Sequence, residues 1–550
     1  MSVCTSNLTS GFIDLATYDE QEKYLYGGPD AVAYFVREIR KATWFTCVPV
    51  CLSRSSGSPG FGQQWSVSIS RAGDYLLQSW LRVTLPAVTA TGTFTGGLAT
   101  NTNWSTSLNQ IASGVTGNIN ILRWTRNFMH NLVAEANITF NDLVAERFDS
   151  FHLDFWAAFT VPAGKRNGYN NMIGAVDSLC NPVATFPGGL VALGATAAPN
   201  NVQVLPSAVL NLPLPFFYAR DTGLALPTAA LPYNEMRINF VFRDWTELLV
   251  LDTFVCAGSG STTVYNLPWV STSASQSNIA SPNAPVLGNV QVWSNYAIVS
   301  NEERKKMACA PRDILIEQVQ TAPLQTFAPS GSSYFPTYDI RFSHAIKALF
   351  FAARNKTILN ARSNYTAAQQ LPIGVSGAIA MTTGAPTNAV SLPSTFGVVD
   401  FNVGNDPIIN TSLIYESTQR LYQMGSDFFS MVNPWYNAPV IPLDTGYHLY
   451  SYSLDFFCID PMGSTNYGKL TNVSIQPQAS QDALTSTAAL PSNIVAANTN
   501  PNPTSYAAQY EFVTTAQNNN IIVNFHDFCD KKATACSKQD KQLNRLVSCY

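Results

Sequence analysis

Residues 212–240 read LPLPFFYARDTGLALPTAALPYNEMRINF, an apolar and aromatic run broken by prolines. Its prolines exclude a continuous helix, because each proline lacks a backbone donor and clashes with the preceding turn. After them, Met236, Ile238 and Phe240 alternate with polar residues and fall on one face of a strand. The stretch therefore predicts turns that lead into a half-buried β-strand, and we interpret it as the end of a first β-domain.

The composition indicates a large, weakly charged protein. At 550 residues the chain exceeds what one hydrophobic core usually supports, so at least two large domains are expected. Charged residues make up 12% of the chain, about half of the ~25% that is usual in soluble domains. The surface must therefore be covered by neutral polar side chains or be buried against partners.

Charge and cysteine content argue against several classes of protein. The net charge of -4 disfavours direct binding of nucleic acid, which takes a basic face. We expect synthesis in the cytosol, because the N-terminus does not resemble a signal peptide and no apolar run is long enough to span a bilayer. The ten cysteines are irregularly spaced and miss the zinc-binding patterns, so we predict no disulfide framework, metal or other cofactor.

Strand patterns recur along the chain, whereas helical patterns are few. We predict strands at 65–70, 75–85, 135–140, 236–242, 290–299, 314–319, 345–352, 448–457 and 521–525. Helices are predicted at 30–41, at 300–307 after a capping box, and within 143–160, where strand and helix are hard to separate. Polar insertions lie between these elements at 87–120, 181–206, 257–285, 365–402 and 476–506. Many strands with long loops indicate β-sandwiches or jelly rolls.

Catalytic motifs are missing from the sequence. None of the histidines, which are His130, His152, His344, His448 and His526, has the spacing of a zinc-protease motif, and there is no nucleophile elbow or phosphate loop. Acid pairs such as Asp14 with Asp19 do not identify a glycosidase, because sequence cannot place two carboxylates across a substrate. We therefore predict that the protein is not an enzyme.

The N-glycosylation sequons and the tryptophans are interpreted without assigning them a catalytic role. Possible N-glycosylation sites, expected to be unoccupied without a signal peptide, are Asn7, Asn103, Asn137, Asn355, Asn364, Asn410 and Asn472. Tryptophans at positions 44, 65, 80, 124, 156, 293 and 435 are predicted mainly as core residues, with a minority anchoring contacts between subunits.

Ordered sequence blocks along most of the chain are similar to those of a known protein family. In the first half these blocks are GFIDLATYDEQEKYLYGGPDAVAYFVRE (11–38), SISRAGDYLLQSWLRVTLP (68–86), LRWTRNFMHNLV (122–133), GYNNMIG (168–174) and the stretch at 212–240. In the second half they are RDILIEQVQTAP (312–323), RFSHAIKALFF (341–351), NPWYNAPVIPLDTGYHLYSYSL (433–454) and GSTNYGKLTNVSI (463–475). In this order the blocks resemble the major capsid proteins of iridoviruses and related large DNA viruses. The family-signature residues that the resemblance assigns, all with structural roles, are Asp14, Tyr26, Gly27, Gly28, Arg71, Gly73, Asp74, Asn127, Tyr169, Pro215, Phe216, Gly223, Leu226, Pro227, Tyr233, Glu235, Arg341, Phe342, His344, Pro434, Trp435, Gly446, Tyr450, Ser464 and Asn466.

The resemblance implies an all-β fold of two consecutive eight-stranded antiparallel jelly rolls, a double jelly roll with long loop insertions and few short helices. The first roll is expected at residues 1–245, a linker at 246–285, the second roll at 286–528 and a C-terminal tail at 529–550. The resemblance also implies that three chains form a homotrimeric, pseudo-hexagonal capsomer. Such capsomers would tile the icosahedral shell of a virion with penton and minor capsid proteins, over an internal membrane reached through partners. Synthesis and assembly would take place in the host cytoplasm.

The alternative is a β-sandwich protein that binds carbohydrate or hydrolyses glycosides. Only the aromatic residues and the neutral loops favour this alternative. Three charged residues in the opening stretch, Arg220, Asp221 and Glu235, are assigned to turn and interface pairing instead of catalysis.

Overall fold

The computed structural model describes residues 3–37, 39–90, 117–180, 204–231, 235–259, 262–264, 269–282, 284–309, 312–356, 359–367, 406–487, 509–518 and 521–525. These residues form two units, Met1–Trp44 and Phe45–Tyr550. The predicted tail at 529–550 and most of the polar insertions lie outside the described residues.

The first unit contains helices α1 (Val3–Ala16) and α2 (Glu20–Leu25). Asp19 caps α2 by accepting hydrogen bonds from the backbone N–H groups of Gln21 and Glu22. The helix predicted at 30–41 is wrong, because the described part of that segment consists of turns and irregular chain. Its apolar side chains, such as Tyr34 and Phe35, are almost fully exposed, and a helix this short is marginal without packing.

The second unit begins with a strand-rich β-sandwich. Its strands are β1 (Phe45–Cys51), β2 (Ser53–Gly57), β3 (Gln64–Ser68), β4 (Tyr75–Leu85), β5 (Val88–Ala90), β6 (Gly117–Trp124), β7 (Val133–Phe140), β8 (Leu143–Asp149), β9 (Val204–Leu205), β10 (Ala208–Pro213), β11 (Leu226–Pro227), β12 (Met236–Phe242), β13 (Leu249–Ser259), β14 (Thr262–Val264), β15 (Trp269–Ser273), β16 (Ile279–Ser281) and β17 (Gly288–Val299). Helices α3 (Phe128–Leu132), α4 (Ser150–Thr160), α5 (Ala163–Ile173) and α6 (Asp177–Cys180) lie between these strands in the chain.

Two antiparallel sheets build this first sandwich. One has the order β1-β17-β4-β10, with β11 also on β4, and the other has the order β2-β3-β12-β7-β8. A smaller sheet joins β6, β13, β14 and β15, and another has the order β16-β5-β9. Alternating residues of the two large sheets fill one apolar core, as shown by the strictly alternating burial along β12.

A second sandwich follows along the chain. The strands of this region are β18 (Arg312–Ile316), β19 (Val319–Thr321), β20 (Gln325–Phe327), β21 (Tyr338–Asp339), β22 (Ala345–Asn355), β23 (Ile408–Tyr415), β24 (Thr418–Gly425), β25 (His448–Ser451), β26 (Thr465–Asn466), β27 (Val473–Ala479), β28 (Tyr510–Asn518) and β29 (Ile521–Phe525). The first and the last of them, β18 and β29, pair with each other. Its helices are α7 (Asn301–Cys309), which precedes it, α8 (Asn433–Asn437) and α9 (Gln481–Thr487). A π-helical segment, Phe428–Val432, runs directly into α8.

The sheets of the second sandwich have the orders β19-β28-β22-β25 and β21-β27-β23-β24. They enclose a second apolar core that contains Phe327, Phe351 and Phe512. The last described strand, β29, pairs with β18, whose residues Ile314 and Ile316 belong to the core of the first sandwich.

Most predicted strands are confirmed, and the deviations have local causes. The strand predicted at 314–319 is interrupted at Glu317 and Gln318, where the chain passes from the first sandwich to the second. The strand predicted at 448–457 ends at Ser451, whose hydroxyl bonds to the backbone of Ser453 and competes with the ladder. The segment 143–160 divides into β8 and α4, because Asp149 caps the helix by accepting the His152 N–H at 2.8 Å.

The opening stretch at 212–240 does not end the first sandwich, contrary to the interpretation. Its strand is confirmed as β12, with Met236, Ile238 and Phe240 buried as predicted. However, β13 pairs with β6, and β17 pairs with both β1 and β4. The boundaries 1–245 and 286–528 are therefore corrected: the expected linker 246–285 contains strands, and residues 288–299 complete a sheet of the first sandwich.

The tryptophans divide between the core and the surface. Trp65 and Trp124 are buried, as predicted. Trp44 and Trp435 are instead 88% and 70% exposed and belong to the minority outside the core; that such tryptophans anchor contacts between subunits stays a prediction.

Candidate functional site

The junction between the two sandwiches is where buried functional groups concentrate. Helix α4 belongs to the first sandwich in sequence, yet its Phe155 and Phe159 pack in a core cluster with residues of the second. The ring of Phe155 lies 5.8 Å from that of Phe350 and 5.7 Å from that of Tyr365, measured between centroids. The helix thus acts as an apolar plug that holds the two sandwiches together.

A buried carboxylate, Asp154, adds a polar centre to the same helix. Its Oδ1 accepts hydrogen bonds from His130 Nδ1 at 2.7 Å and Asn127 Nδ2 at 3.0 Å. Its Oδ2 accepts hydrogen bonds from the hydroxyls of Ser363 at 2.6 Å and Tyr365 at 3.0 Å. Two donors come from each sandwich, so one carboxylate connects both.

The electrostatics of this centre favour an ionised Asp154. Burial acts to raise the pKa of Asp154, but the hydrogen bonds from His130, Ser363 and Asn127 outweigh it and hold the pKa below its ordinary value. The hydroxyl of Tyr169 lies 2.7 Å from His130 Nε2, which completes the chain of contacts. Burial and the Asp154 charge raise the pKa of this tyrosine well above its usual range.

The arrangement contains an aspartate and a histidine but does not form a nucleophile triad. A triad requires a nucleophile hydrogen-bonded to the histidine nitrogen that faces away from the aspartate. Here that nitrogen faces Tyr169, while the Ser363 hydroxyl donates to Asp154 itself. The centre is therefore suited to fixing the position of two domains and not to acyl transfer.

A second connection lies where the chain leaves the first sandwich. Asp74, at the start of β4, accepts two hydrogen bonds from the Arg304 guanidinium, both at 2.8 Å, and one from the Val299 N–H at 3.0 Å. The hydrogen bonds from Arg304 are the main reason that the pKa of Asp74 lies below its ordinary value. This bidentate pair fixes α7 at the exit of β17.

Buried charges form a third connection, next to α4. Glu317 makes ion pairs with Arg220 and with Lys347, the latter at 2.7 Å, and it also accepts a hydrogen bond from Gln517 at 2.6 Å. Burial, followed by the nearby Arg220 charge, lowers the pKa of Lys347 to about 8. The guanidinium of Arg220 also lies 4.3 Å from the ring centre of Trp156. Arg220, assigned from sequence to interface pairing, thus pairs between the two sandwiches.

Glu146 on β8 lies beside these charges and is fully buried. Burial raises its pKa to about 8, although Arg220 opposes the shift. Its Oε2 accepts the Phe217 N–H at 2.8 Å. A neutral carboxyl at this position costs less than a buried anion, which explains why the group is tolerated in the core.

The structure brings several signature residues of the first half into these connections. Asn127 donates to Asp154, Tyr169 contacts the Nε2 of His130 behind it, and Asp74 pairs with Arg304. Beside Asp74, Gly73 allows a close approach, because a Cβ there would lie 2.6 Å from the Cβ of Tyr296.

Signature residues in the opening stretch have packing and turn roles. Phe216 and Leu226 are buried in the first core, and Pro227 pairs with Tyr75. The guanidinium of Arg71 donates to the Leu231 carbonyl at 2.9 Å and 3.1 Å. The remaining positions here are half-buried Pro215, exposed Gly223 whose N–H donates to Asp221, and exposed Glu235 paired with Arg237, whereas Tyr233 lies outside the described residues.

Signature residues of the second half are more dispersed. Phe342 and Pro434 are buried, Tyr450 stacks edge-on against Phe429, and Asn466 pairs with Ala345 in the sheet. Gly446 has a φ of +93° and its Cα faces the Tyr365 carbonyl, a place that only glycine fits without strain. Also exposed in the second half are Arg341, Trp435, Ser464 and Asn466, and His344 is half-buried with a φ of +65°. In the first half, Asp14, Tyr26, Gly27 and Gly28 are exposed.

Two of the sequons are incompatible with a glycan. Asn355 and Asn364 are 2% and 1% exposed, so a sugar could not be attached without opening the fold. Asn7, Asn410, Asn137 and Asn472 are at least partly accessible, and Asn103 lies outside the described residues.

Sequence reasoning missed the central residues Asp154, Ser363 and Tyr365. A signal existed for the first, because Asp154 is the single charge in the apolar run FHLDFWAAF, and a charge in such a run is usually buried and paired. No local signal marks the other two, whose role depends on a contact across more than 200 positions of sequence.

Within the described ranges, no group of three or more acidic, histidine or cysteine side chains is arranged to hold a metal ion. Among the same residues, no helix is both long and apolar enough to span a membrane.

Two protein-family models match the chain, and they divide it at the place where the first sandwich ends and the second begins. Residues 33–299 match the family model described as the major capsid protein N-terminus, and residues 303–524 match that of the large eukaryotic DNA virus major capsid protein. The gap between the two matches coincides with the exit of β17 and the start of α7.

Relatives of known name cover nearly the full length. The chain is 57% identical to the major capsid protein of Tipula iridescent virus, over 95% of this chain and 97% of the relative. It is 43% identical to the major capsid protein of Lymphocystis disease virus 1, with coverage of 95% and 97%. These names do not support the carbohydrate-binding alternative.

Solved structures share the fold at low sequence identity. The chain matches the quasi-atomic model of the PBCV-1 virus capsid with a TM-score of 0.59 at 18% identity, covering 90% of this chain and 97% of that one. The Faustovirus major capsid protein matches with a TM-score of 0.56 at 13% identity, with coverage of 90% and 92%. The two sandwiches are thus jelly rolls, as predicted, and the chain belongs to the family of major capsid proteins of the large eukaryotic DNA viruses, with iridovirus capsid proteins among its relatives.

Proposed function

We propose that this capsid protein forms a homotrimeric, pseudo-hexagonal capsomer. A major capsid protein assembles with other copies of itself, and the proposal concerns how. Three chains with two jelly rolls each would supply six similar units around one axis. The observation that carries the proposal is the junction at α4, where an apolar plug and Asp154 fasten both rolls of one chain so that they can act as one building block.

The low charge of the chain favours extensive contacts between subunits. Burying an ion costs several kcal/mol unless it is paired, and only 12% of the residues are charged. Neutral surfaces can therefore be covered on assembly without that cost. Neighbouring capsomers, penton proteins and minor capsid proteins are the proposed partners, with an internal membrane reached through them and without direct contact to nucleic acid.

We further propose that the protein is not an enzyme and that it assembles in the host cytoplasm before residing in the virion. The histidine of the Asp154 centre faces a tyrosine, which supports a structural role for this centre. The first roll is proposed to extend to residue 299, with the second beginning after α7. The signature residues are proposed to act in folding and assembly.

The test is the assembly state of the purified full chain. We expect a stable species of three times the 59.8 kDa chain mass in sedimentation velocity, with hexagonal outlines in negative-stain images. Glycoside hydrolysis assays serve as the functional control. A monomer with hydrolase activity would contradict the proposal.

A further inference from the structure

An exposed aromatic surface lies on the helical segment that joins β24 to β25. The segment runs through the π-helical residues Phe428–Val432 and on through α8. On one side, Phe429 and Asn433 are 1% and 6% exposed. On the other side lie Met431, Val432, Trp435 and Tyr436, which we call the aromatic face and which are 53%, 43%, 70% and 76% exposed.

The aromatic face is held rigidly by its buried side. The ring of Phe429 lies 5.2 Å from that of Phe351 and 6.1 Å from that of Tyr450, between centroids. Asn433 Oδ1 accepts the Ser451 N–H at 3.1 Å, which ties the helix to β25. A surface fixed in this way loses little conformational entropy on binding, because its backbone is already ordered.

The size and chemistry of the face resemble the centre of a permanent interface. Its four exposed side chains present an apolar area on the order of 500 Å², a large share of the ~800 Å² per partner in a stable interface. Residues 428–437 carry no charged side chain, and tryptophan and tyrosine are among the residues most enriched in binding hot spots.

We propose that the aromatic face packs against a second copy of this chain within the capsomer. The inference rests on the proposed trimer and adds the surface that holds it together. Other copies are the partners that a capsid protein must meet, and an uncharged, largely aromatic face has the composition of a permanent interface, unlike the more polar transient ones. A free capsomer that left this face in water would expose an aggregation site, so the face is covered before capsomers meet.

The first test compares two double variants of the full chain. Trp435→Ala with Tyr436→Ala removes the aromatic face, while Trp44→Ala with Tyr34→Ala removes the same two side-chain types from another exposed region. Sedimentation at a series of concentrations should show at least a tenfold weaker trimer for the first variant and an unchanged trimer for the second. Circular dichroism should show the same fold for both, because all four side chains are exposed.

The second test identifies the occupant directly. A photoreactive benzoylphenylalanine placed at position 435 should form a crosslink between two chains in the trimer, seen as twice the chain mass. If the wild type is a trimer, two results would overturn this inference alone. One is a Trp435→Ala/Tyr436→Ala trimer as stable as the wild-type trimer, and the other is the absence of any crosslink between chains from position 435. A monomeric wild-type protein would overturn both this inference and the proposed function.

Discussion

Replacing Asp154 by Asn tests whether this residue joins the two jelly rolls. The substitution keeps the shape of the side chain but removes its charge. One oxygen remains to accept two hydrogen bonds, whereas the new NH₂ group faces two donors. If the amide points toward the second roll, those donors are the hydroxyls of Ser363 and Tyr365, now 2.6 Å and 3.0 Å from a nitrogen that cannot accept.

The expected loss of stability in Asp154→Asn follows from the hydrogen bonds that the substitution removes. Each hydrogen bond to a buried charged group contributes roughly 1.5–3 kcal/mol, and breaking one side of a buried charged network costs about 3–5 kcal/mol in total. We therefore expect the free energy of unfolding to fall by about 3–5 kcal/mol at pH 7. The measurement is urea denaturation at one fixed protomer concentration, because assembly also stabilises the folded chain.

The pH dependence gives a second readout of the same substitution. The pKa of Asp154 is lower in the folded protein than in the unfolded chain. Its contribution is therefore complete above the unfolded pKa and is lost as pH falls through the folded one. The gap between wild type and Asp154→Asn should narrow as the pH falls below about 4.

The matched control is Asp142→Asn, which removes an exposed carboxylate that lies 3.3 Å from Arg237. A surface pair of this kind contributes roughly 0–1 kcal/mol, so little change is expected. The reasoning would be refuted if Asp154→Asn cost less than about 1 kcal/mol, the value of a single neutral hydrogen bond. An equal loss at pH 7 and pH 3 would also contradict it.

Three further predictions test the packing and the buried charges. Phe155→Ala should lower the free energy of unfolding by about 3–5 kcal/mol in urea denaturation, because this side chain is buried. The control Phe335→Ala should cost far less, because that side chain is 41% exposed. Similar losses for the two variants would show that the apolar side chains of α4 do not hold the two sandwiches together. Gly446→Ala should lower the free energy of unfolding by about 2–5 kcal/mol in the same assay, because the backbone has a φ of +93° and the new methyl group would clash with the Tyr365 carbonyl. A variant as stable as wild type would mean that the loop relaxes freely. Glu146→Gln should gain stability relative to wild type by about 1.4 kcal/mol per pH unit between pH 5 and 8. With a folded pKa of about 8, the folded wild type keeps the proton on this carboxyl over that range while the unfolded chain releases it, so wild-type stability falls as the pH rises. A constant difference across that range would exclude a raised pKa.

Sequence predicted the strands well because their signal is local. The alternation of Met236, Ile238 and Phe240 is visible without knowing what lies on either side, and it corresponds to burial on β12. The failure at 30–41 shows the limit of the same method. An apolar pattern can suggest a helix, but a short helix needs a surface to pack against, and Tyr34 and Phe35 remain exposed.

The domain boundary could not be read from the sequence for a related reason. The polar insertions before residue 286 look like a linker, whereas the strand at 288–299 inserts between β1 and β4 of the first sandwich. Pairing between strands far apart in sequence leaves no mark on the local pattern of either strand, because apolar alternation reports a buried face and not the partner.

Four properties follow from the order of the amino acids alone: the β-rich class, most strand positions, the need for buried surfaces in a weakly charged chain, and the resemblance to capsid proteins. These properties depend on composition, on short-range periodicity and on ordered blocks of residues. The folded chain was needed to show that Asp154 accepts hydrogen bonds from both rolls, that α4 packs against both of them and that Trp435 faces outward. Each of these is a contact, or the lack of one, between distant parts of the chain, and such relations exist only after the backbone has folded.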